Sequence, residues 1–288
     1  MKHWFEEKLY DNDLKIGYKQ SLQNVNTLVE TTSEFQKITI FENPKFGKVL
    51  ALDDVIQTTE ADEFFYHEMF VHVPLFAHGK VKKVLIIGGG DGGILREVMR
   101  HESVKKAIMI EIDGLVVDLC KRKMPSLNNG AFLNKKADVK IDDGINFIKT
   151  TNEKFDVILV DSTDPINVGE VLFTDDFYFH AKRCLNSGGI FTSQSGVPFL
   201  QEQELKGIHR KLYKNFHTVN FFMVPVPTYI GGVMCLSFAT DDDSLTNVEE
   251  NLITQRIKLS KISNLKYYNS KVHLAAFALP EFIKKIVA

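Results

Sequence analysis

The sequence predicts an α/β fold: a largely parallel sheet with helices on both faces, preceded by a small all-β segment. Three observations carry this reading. Short, wholly apolar runs at 84–87, 107–110 and 157–160 are each bounded by Gly, Asp or Pro, the pattern of strands buried on both faces. Stretches with helical spacing separate those runs. The first 60 residues instead alternate, Ile38 and Ile40 with Lys37 and Thr39, as half-buried hairpin strands do.

In chain order, residues 36–42 read as a strand, 43–47 as a turn and 48–52 as the returning strand of a hairpin meander. Near Asp62 the period changes. Phe64, Phe65, His67, Glu68 and Val71 fit a helix that ends before Pro74, with His78-Gly79-Lys80 as a linker. The expected organisation is therefore an N-terminal β domain at 1–60, a helix and linker at 61–80, and an α/β domain at 81–288. Within the last, helices are expected at 92–101, 114–123, 175–185 and 201–216, and strands near 139–141 and 189–194. Two β segments, 219–226 and 232–239, suit an antiparallel hairpin at one sheet edge. No internal repeat or low-complexity tract is evident.

Composition narrows the function. With 35 Lys+Arg against 37 Asp+Glu in 288 residues, the net charge of −2 argues against a nucleic-acid partner, which would call for a basic excess. A hydrophobic share of 44% and a charged share of 25% exclude a disordered chain. Cys120, Cys184 and Cys235 are far apart with no CxxC pair, and so read as buried reduced thiols. No apolar stretch follows the N-terminal Met-Lys-His-Trp-Phe-Glu-Glu, and no run is long enough to span a bilayer, so a cytoplasmic protein with no membrane partner is expected.

Gly88, Gly90 and Gly93 form G-x-G-x-x-G between a strand and a helix, with Glu111 about 20 residues on, where a carboxylate suits a ribose diol. Asp91 complicates that motif. Its carboxylate sits where a pyrophosphate would lie and would repel it, whereas a cationic nucleoside such as S-adenosylmethionine or a relative, with a sulfonium in place of phosphate, would be attracted. Asp91 also suits a plain helix N-cap. Asp143 follows another strand, Asp161 ends a third and Asp164 stands three residues later; each could serve an ordinary turn. Together, Asp91, Glu111, Asp143, Asp161 and Asp164 fall at the carboxyl ends of strands of one sheet, where such folds bind ligands. Five carboxylates in one cleft need positive charge to stay ionised, which one or two cationic ligands would supply.

At this point the chain resembles the polyamine aminopropyltransferases, most closely their spermidine synthase branch. The resemblance rests on Asp62-Glu63-Phe64-Phe65-Tyr66-His67-Glu68-Met69, Ile87-Gly88-Gly89-Gly90-Asp91-Gly92-Gly93, Glu111-Ile112-Asp113, Asp142-Asp143-Gly144, Asp161-Ser162-Thr163-Asp164-Pro165, Pro227-Thr228-Tyr229 and the tail Ala275-Ala276-Phe277-Ala278-Leu279-Pro280. It implies a Rossmann-like, methyltransferase-type sheet with a small N-terminal β domain, and assembly into homodimers or homotetramers. It also implies transfer of an aminopropyl group from decarboxylated S-adenosylmethionine, a co-substrate, to putrescine, with no cofactor and no metal. By the same resemblance Gln36, Asp91, Glu111, Asp143 and Gly144 would bind the donor and its methylthioadenosine product. Tyr66, His67, Asp91, Asp161, Asp164 and Tyr229 would bind putrescine and spermidine, with Asp161 as base. For His67 a half-buried helix histidine with a local partner is an equal reading. Val168 stands where the family usually has proline, and residues 162–176 are a candidate lid.

Rivals are weaker. A putrescine N-methyltransferase would use S-adenosylmethionine with its carboxylate, against which Asp91 and Asp161 both stand. A dehydrogenase is disfavoured by Asp91. His72 is one residue too late for H-E-x-x-H after His67-Glu68, and Ser195 lacks the glycine at 193 that a nucleophile elbow needs. A non-catalytic polyamine binder would keep the acids but need no base.

Overall fold

The computed structural model describes residues 3–8, 18–162 and 172–288. Its N-terminal part is antiparallel. β1 (His3–Glu6) pairs with β2 (Ser21–Asn24), and β3 (Asn26–Thr32), β4 (Lys37–Asn43), β5 (Gly47–Leu52) and β6 (Val55–Thr59) form a four-stranded meander. The alternation seen in the sequence puts Ile38, Ile40, Leu50 and Leu52 on one face, where they pack on helix residues Val116, Leu119, Cys120 and Leu127 of the α/β part. That contact closes one wall of the cleft described below.

The helix α1 (Glu63–His78) does not end before Pro74 but runs through it and stops at Gly79, which takes φ 76° and donates its N–H to the Leu75 carbonyl. Proline forfeits one backbone hydrogen bond. Phe70, Val71 and Val73 are nonetheless fully buried around that point, so packing on every side holds the helix where local propensity would break it.

The rest is doubly wound. β7 (Lys83–Gly88), α2 (Gly93–Met99), β8 (Lys106–Glu111), α3 (Gly114–Lys123), α4 (Pro125–Asn128), β9 (Ala137–Ile141), α5 (Gly144–Thr150), β10 (Phe155–Asp161), α6 (Asp175–Arg183), β11 (Leu185–Ser193), α7 (Glu202–Asn215), β12 (Thr218–Pro225) and β13 (Val233–Thr240) follow in order. Helices α8 (Glu250–Ser260), α9 (Ser270–Ala276) and α10 (Glu281–Ile286) close the chain. The seven strands lie in the order β12-β13-β11-β10-β7-β8-β9. β9, β8, β7, β10 and β11 are parallel, while β13 runs antiparallel to β11 and carries β12 at the edge, the hairpin expected from residues 219–239.

The apolar runs behave as two-faced strands. Val84, Ile86, Val157 and Leu159 face the core that includes α1, whereas Leu85, Ile87, Ile158 and Val160 face the core around α6 and α7. This Rossmann-like, methyltransferase-type sheet reverses its winding between β7 and β10, which places a ligand crevice at their carboxyl ends. All three cysteines are buried and free. Among the described residues no helix is long and apolar enough to cross a membrane.

Candidate active site

At the switch point Asp161 lies in register with Gly88 across the β10–β7 ladder. Gly88 has φ 83°, and a Cβ there would stand 2.0 Å from the Asp161 carbonyl oxygen. Gly89 N–H donates to that oxygen at 3.0 Å. The other motif glycines make room in the same way: a Cβ on Gly90 would lie 3.1 Å from Glu111 Oε2, and one on Gly93 would fall 2.1 Å from the His67 ring. The G-x-G-x-x-G pattern thus lets Asp161, Glu111 and His67 crowd against one turn.

Above that turn opens a cleft of about 720 Å³. Its lining includes Gln36, Tyr66, His67, Asp91, Glu111, Asp143, Gly144, Asp161 and Tyr229, so sequence-predicted residues from both parts of the chain converge on one site. Asp164 and Val168 lie outside the described residues.

The acids are not equivalent. Asp91 is not the plain N-cap that the sequence allowed, since Gly92 occupies the cap position; from one residue earlier its Oδ1 accepts the Gly93 N–H at 2.6 Å. Its Oδ2 lies 3.3 Å from His67 Nε2. Burial alone would raise the Asp91 pKa, but the His67 charge and hydrogen bond outweigh it and hold the carboxyl below its ordinary value. Asp161 accepts the Tyr66 hydroxyl at 2.7 Å on Oδ1. Burial, reinforced by the nearby Asp91 charge, pushes it up to about 6. Glu111, whose Oε1 accepts the Asp113 N–H at 2.9 Å, is pushed to about 7, chiefly by burial.

His67 revises the expectation that ligands alone supply the positive charge. Its Nδ1 bonds Glu63 Oε2 at 2.7 Å while Nε2 faces Asp91, and the ring is 2% exposed. Burial would lower its pKa, yet Asp91 and Glu63 together raise it to about 10. Two carboxylates thus favour the charged ring, and both ring nitrogens are committed to protein carboxylates rather than turned toward the cleft.

The remaining predicted residues are tied in by local geometry. Gln36 Nε2 donates to Asp113 Oδ2 at 3.0 Å, and Asp113 Oδ1 caps α3 through the Leu115 N–H, so the N-terminal sheet is fastened to the Glu111 turn. Asp143 caps α5 by accepting the Ile145 N–H at 2.8 Å, and a Cβ on Gly144 would come 2.6 Å from Ile87. The Tyr229 hydroxyl donates to the Gln57 carbonyl at 2.8 Å.

Sequence reasoning missed the supports. Asp62, at the head of α1, makes no side-chain cap; Oδ2 instead accepts the Thr228 N–H and hydroxyl at 2.9 and 2.7 Å, anchoring the Tyr229 loop. Glu68 accepts three successive N–H groups, of Lys266, Tyr267 and Tyr268, at 2.8, 2.9 and 2.8 Å. Glu63 binds both His67 and Arg96, whose Nη2 lies 2.7 Å away. Of these, only the Glu63–His67 spacing of one helical turn was a usable signal.

Comparison with known proteins agrees with this geometry. The family described as spermine/spermidine synthase domain matches residues 63–251, and the one described as spermidine synthase tetramerisation domain matches residues 3–60. Polyamine aminopropyltransferase 1 of Pseudomonas aeruginosa is 48% identical over 278 residues, covering 96% of this chain and 97% of that protein. A polyamine aminopropyltransferase of Escherichia coli is 48% identical over 283 residues, with 98% of each covered. A crystal structure of spermidine synthase in complex with the transition state analogue AdoDATO superposes with TM-score 0.92 at 38% identity, covering 99% of this chain and 94% of that one. Spermidine synthase from Thermotoga maritima gives 0.90 at 37%, with the same coverage.

Proposed function

This chain belongs to the spermine/spermidine synthase family, and from that premise we propose that it transfers the aminopropyl group of decarboxylated S-adenosylmethionine to putrescine, yielding spermidine and S-methyl-5'-thioadenosine. The observation that carries the reading is the pairing in one cleft of two buried aspartates of opposite character, Asp91 held ionised and Asp161 pushed up to about 6. Two like groups whose environments drive them apart divide the work of anchor and base.

The donor's nucleoside lies along the glycine turn, its ribose hydroxyls donating to Glu111 and its adenine edge at Asp143 and Gly144, with Gln36 closing the N-terminal side. The terminal ammonium of the aminopropyl arm sits against Asp91 and Asp161. Ordinary S-adenosylmethionine would bring a carboxylate to the same place and be repelled. Putrescine enters past Tyr66 and Tyr229, with Asp164 toward one amine. Its attacking nitrogen must be neutral, and Asp161 takes the proton. Burial and the sulfonium lower the amine's proton affinity while burial raises that of Asp161. The nitrogen lone pair then forms a bond to the methylene next to sulfur as the C–S bond breaks, and the electron pair returns to sulfur as a neutral thioether. Alignment and exclusion of water supply much of the rate. No cofactor enters these steps. The setting is the cytoplasm, and assembly into a homodimer or homotetramer uses the residue 3–60 segment, where Trp4 and Val25 stand exposed.

The test is to incubate purified protein with decarboxylated donor and putrescine, cadaverine, agmatine or spermidine, and read products by mass. Spermidine from putrescine at the highest kcat/KM is expected. Methylated putrescine from S-adenosylmethionine, or binding without transfer to any amine, would sink the reading.

A further inference from the structure

Behind the cleft wall a chain of alternating charges runs from α1 to α2. Asp91 Oδ2 faces His67 Nε2, and His67 Nδ1 faces Glu63 Oε2. Glu63 Oε2 also accepts from Arg96 Nη2, and Arg96 Nε donates to Glu97 Oε1 at 2.9 Å. Neither Glu63 nor Arg96 lines the cleft. The groups facing His67 are Glu63 from its own helix, Asp91 from the glycine turn and Asp161 from β10, with Tyr66 beside it and Arg96 behind Glu63.

Two buried carboxylates sharing one cleft repel each other, so one of them holds a proton to higher pH than the other. The geometry answers which one. Both oxygens of Asp91 have donors, the Gly93 N–H and the His67 ring, whereas Asp161 has the Tyr66 hydroxyl. For His67 to donate at Nε2 its Nδ1 must be satisfied as well, and Glu63 does that with a charge. Arg96 in turn keeps Glu63 ionised and fixed. We propose that Glu63 and Arg96 are positioning residues that hold His67 as a permanent imidazolium, and through it keep Asp91 an oriented anion before any cationic ligand arrives. This deepens the reading of Asp91 as the donor-ammonium anchor and rests on it. A neutral His67 bonded to Glu63 through Nδ1–H would turn a lone pair on Asp91 and swing the carboxylate off its site.

The readout is nitrogen NMR of 15N-histidine-labelled protein without ligand, with the His67 signal identified by its loss in His67→Gln. Both ring nitrogens should carry imidazolium shifts from pH 6 to beyond pH 8.5, and Glu63→Gln should bring the midpoint of deprotonation down to about pH 7.5, so that about a tenth of the rings stay charged at pH 8.5. In steady-state assays Glu63→Gln should raise the donor KM by about tenfold at pH 8.5 and by under about threefold at pH 6.5, with Glu63→Asp restoring most of it, one pH unit being equivalent to a tenfold change in the ionised ratio. A neutral His67 in the wild-type protein at pH 7.5 overturns the proposal without recourse to any variant. So does a Glu63→Gln donor KM that rises equally at both pH values, the mark of a merely structural role. If the NMR behaves as expected and no aminopropyl transfer is found, the charge relay stands and the proposed function falls.

Discussion

Two histidines on α1, His67 and His72, lie five residues apart, both sealed from solvent and both bonded to a carboxylate, yet the first is pushed up while His101, the ring bonded to the second, is pushed down. His67 stands between Glu63 and Asp91 and is driven up to about 10. One and a half turns on, His72 bonds Glu97 at 2.9 Å through Nε2 and the neighbouring His101 at 2.9 Å through Nδ1. Glu97 already takes Arg96 and Arg100, and the two rings pack tilted against Phe76 and Tyr268, so burial and the adjacent ring hold His101 well below its ordinary value. The difference teaches that burial lowers an interior imidazole unless carboxylates face it closely enough to outweigh it: His67 has two, whereas His101 meets another imidazole. One site prepares a cleft for cations; the other is polar packing.

The largest effect should come from Asp161, the acid that the His67 site leaves free to take a proton. Asp161→Asn is expected to lower kcat by about 10²–10⁴, the usual worth of a positioned general base, while methylthioadenosine binding by calorimetry stays within a few-fold. In the wild-type enzyme kcat/KM should fall about tenfold per unit below pH 6, because Asp161 must be unprotonated to accept from the amine and its pKa stands at about 6. A flat profile from pH 5 to 8 would remove Asp161 from the role.

Next in size is Asp91→Asn, which strips the His67 site of its cleft-facing partner. Competition between decarboxylated donor and S-adenosylmethionine should shrink by at least about tenfold, since repulsion of the substrate carboxylate is lost along with attraction of the ammonium. Unchanged selectivity would show that discrimination lies elsewhere. Gly93→Ala is expected to have a similar consequence by another route: its methyl would need the space of the His67 ring, 2.1 Å away, so donor KM should rise while Gly207→Ala, with open space around its Cβ position on α7, leaves KM untouched. Equal behaviour of the two variants would refute the packing argument.

The legibility of this molecule in its sequence follows the range of the interactions. The apolar runs declared the parallel strands, because a strand covered on both faces has no polar option at 84–87 or 157–160. The glycine turn and the acids Asp91, Glu111 and Asp143 were readable for a similar reason, each accepting a backbone N–H two residues on. Pro74 misled, since the signal for ending a helix is local and the burial that overrides it is not. Helices α8 to α10 gave no distinct pattern, and Glu68 looked like half of a metal motif until three amides from a segment about 200 residues away were found on it. The charge of His67 was illegible in the same way: Glu63 is one turn off in sequence, but Asp91 and Arg96 reach it only after the sheet and α2 have formed.

The smallest effect separates the two histidine sites by the sign of a slope. A histidine whose folded pKa is raised stabilises fully below the unfolded value of about 6.5, and that contribution is lost as pH climbs toward the folded value. For His67 the window is therefore about pH 6.5 to about 10. His101, lowered when folded, works the other way: below about pH 6.5 the unfolded chain takes up a proton that the folded chain refuses, so stability drains as pH falls. Each slope is at most about 1.4 kcal/mol per pH unit, and neighbouring titrations will reduce it. Urea unfolding of wild type, His67→Gln and His101→Gln at a series of pH values isolates the two terms as differences from wild type. The destabilisation caused by His67→Gln should shrink from pH 6.5 to 9, and that caused by His101→Gln should shrink, or turn to stabilisation, from pH 6.5 to 5. If both differences instead ran parallel with pH, carboxylate partners would not be what sets these rings apart, and the charge assigned to the cleft would lose its physical basis.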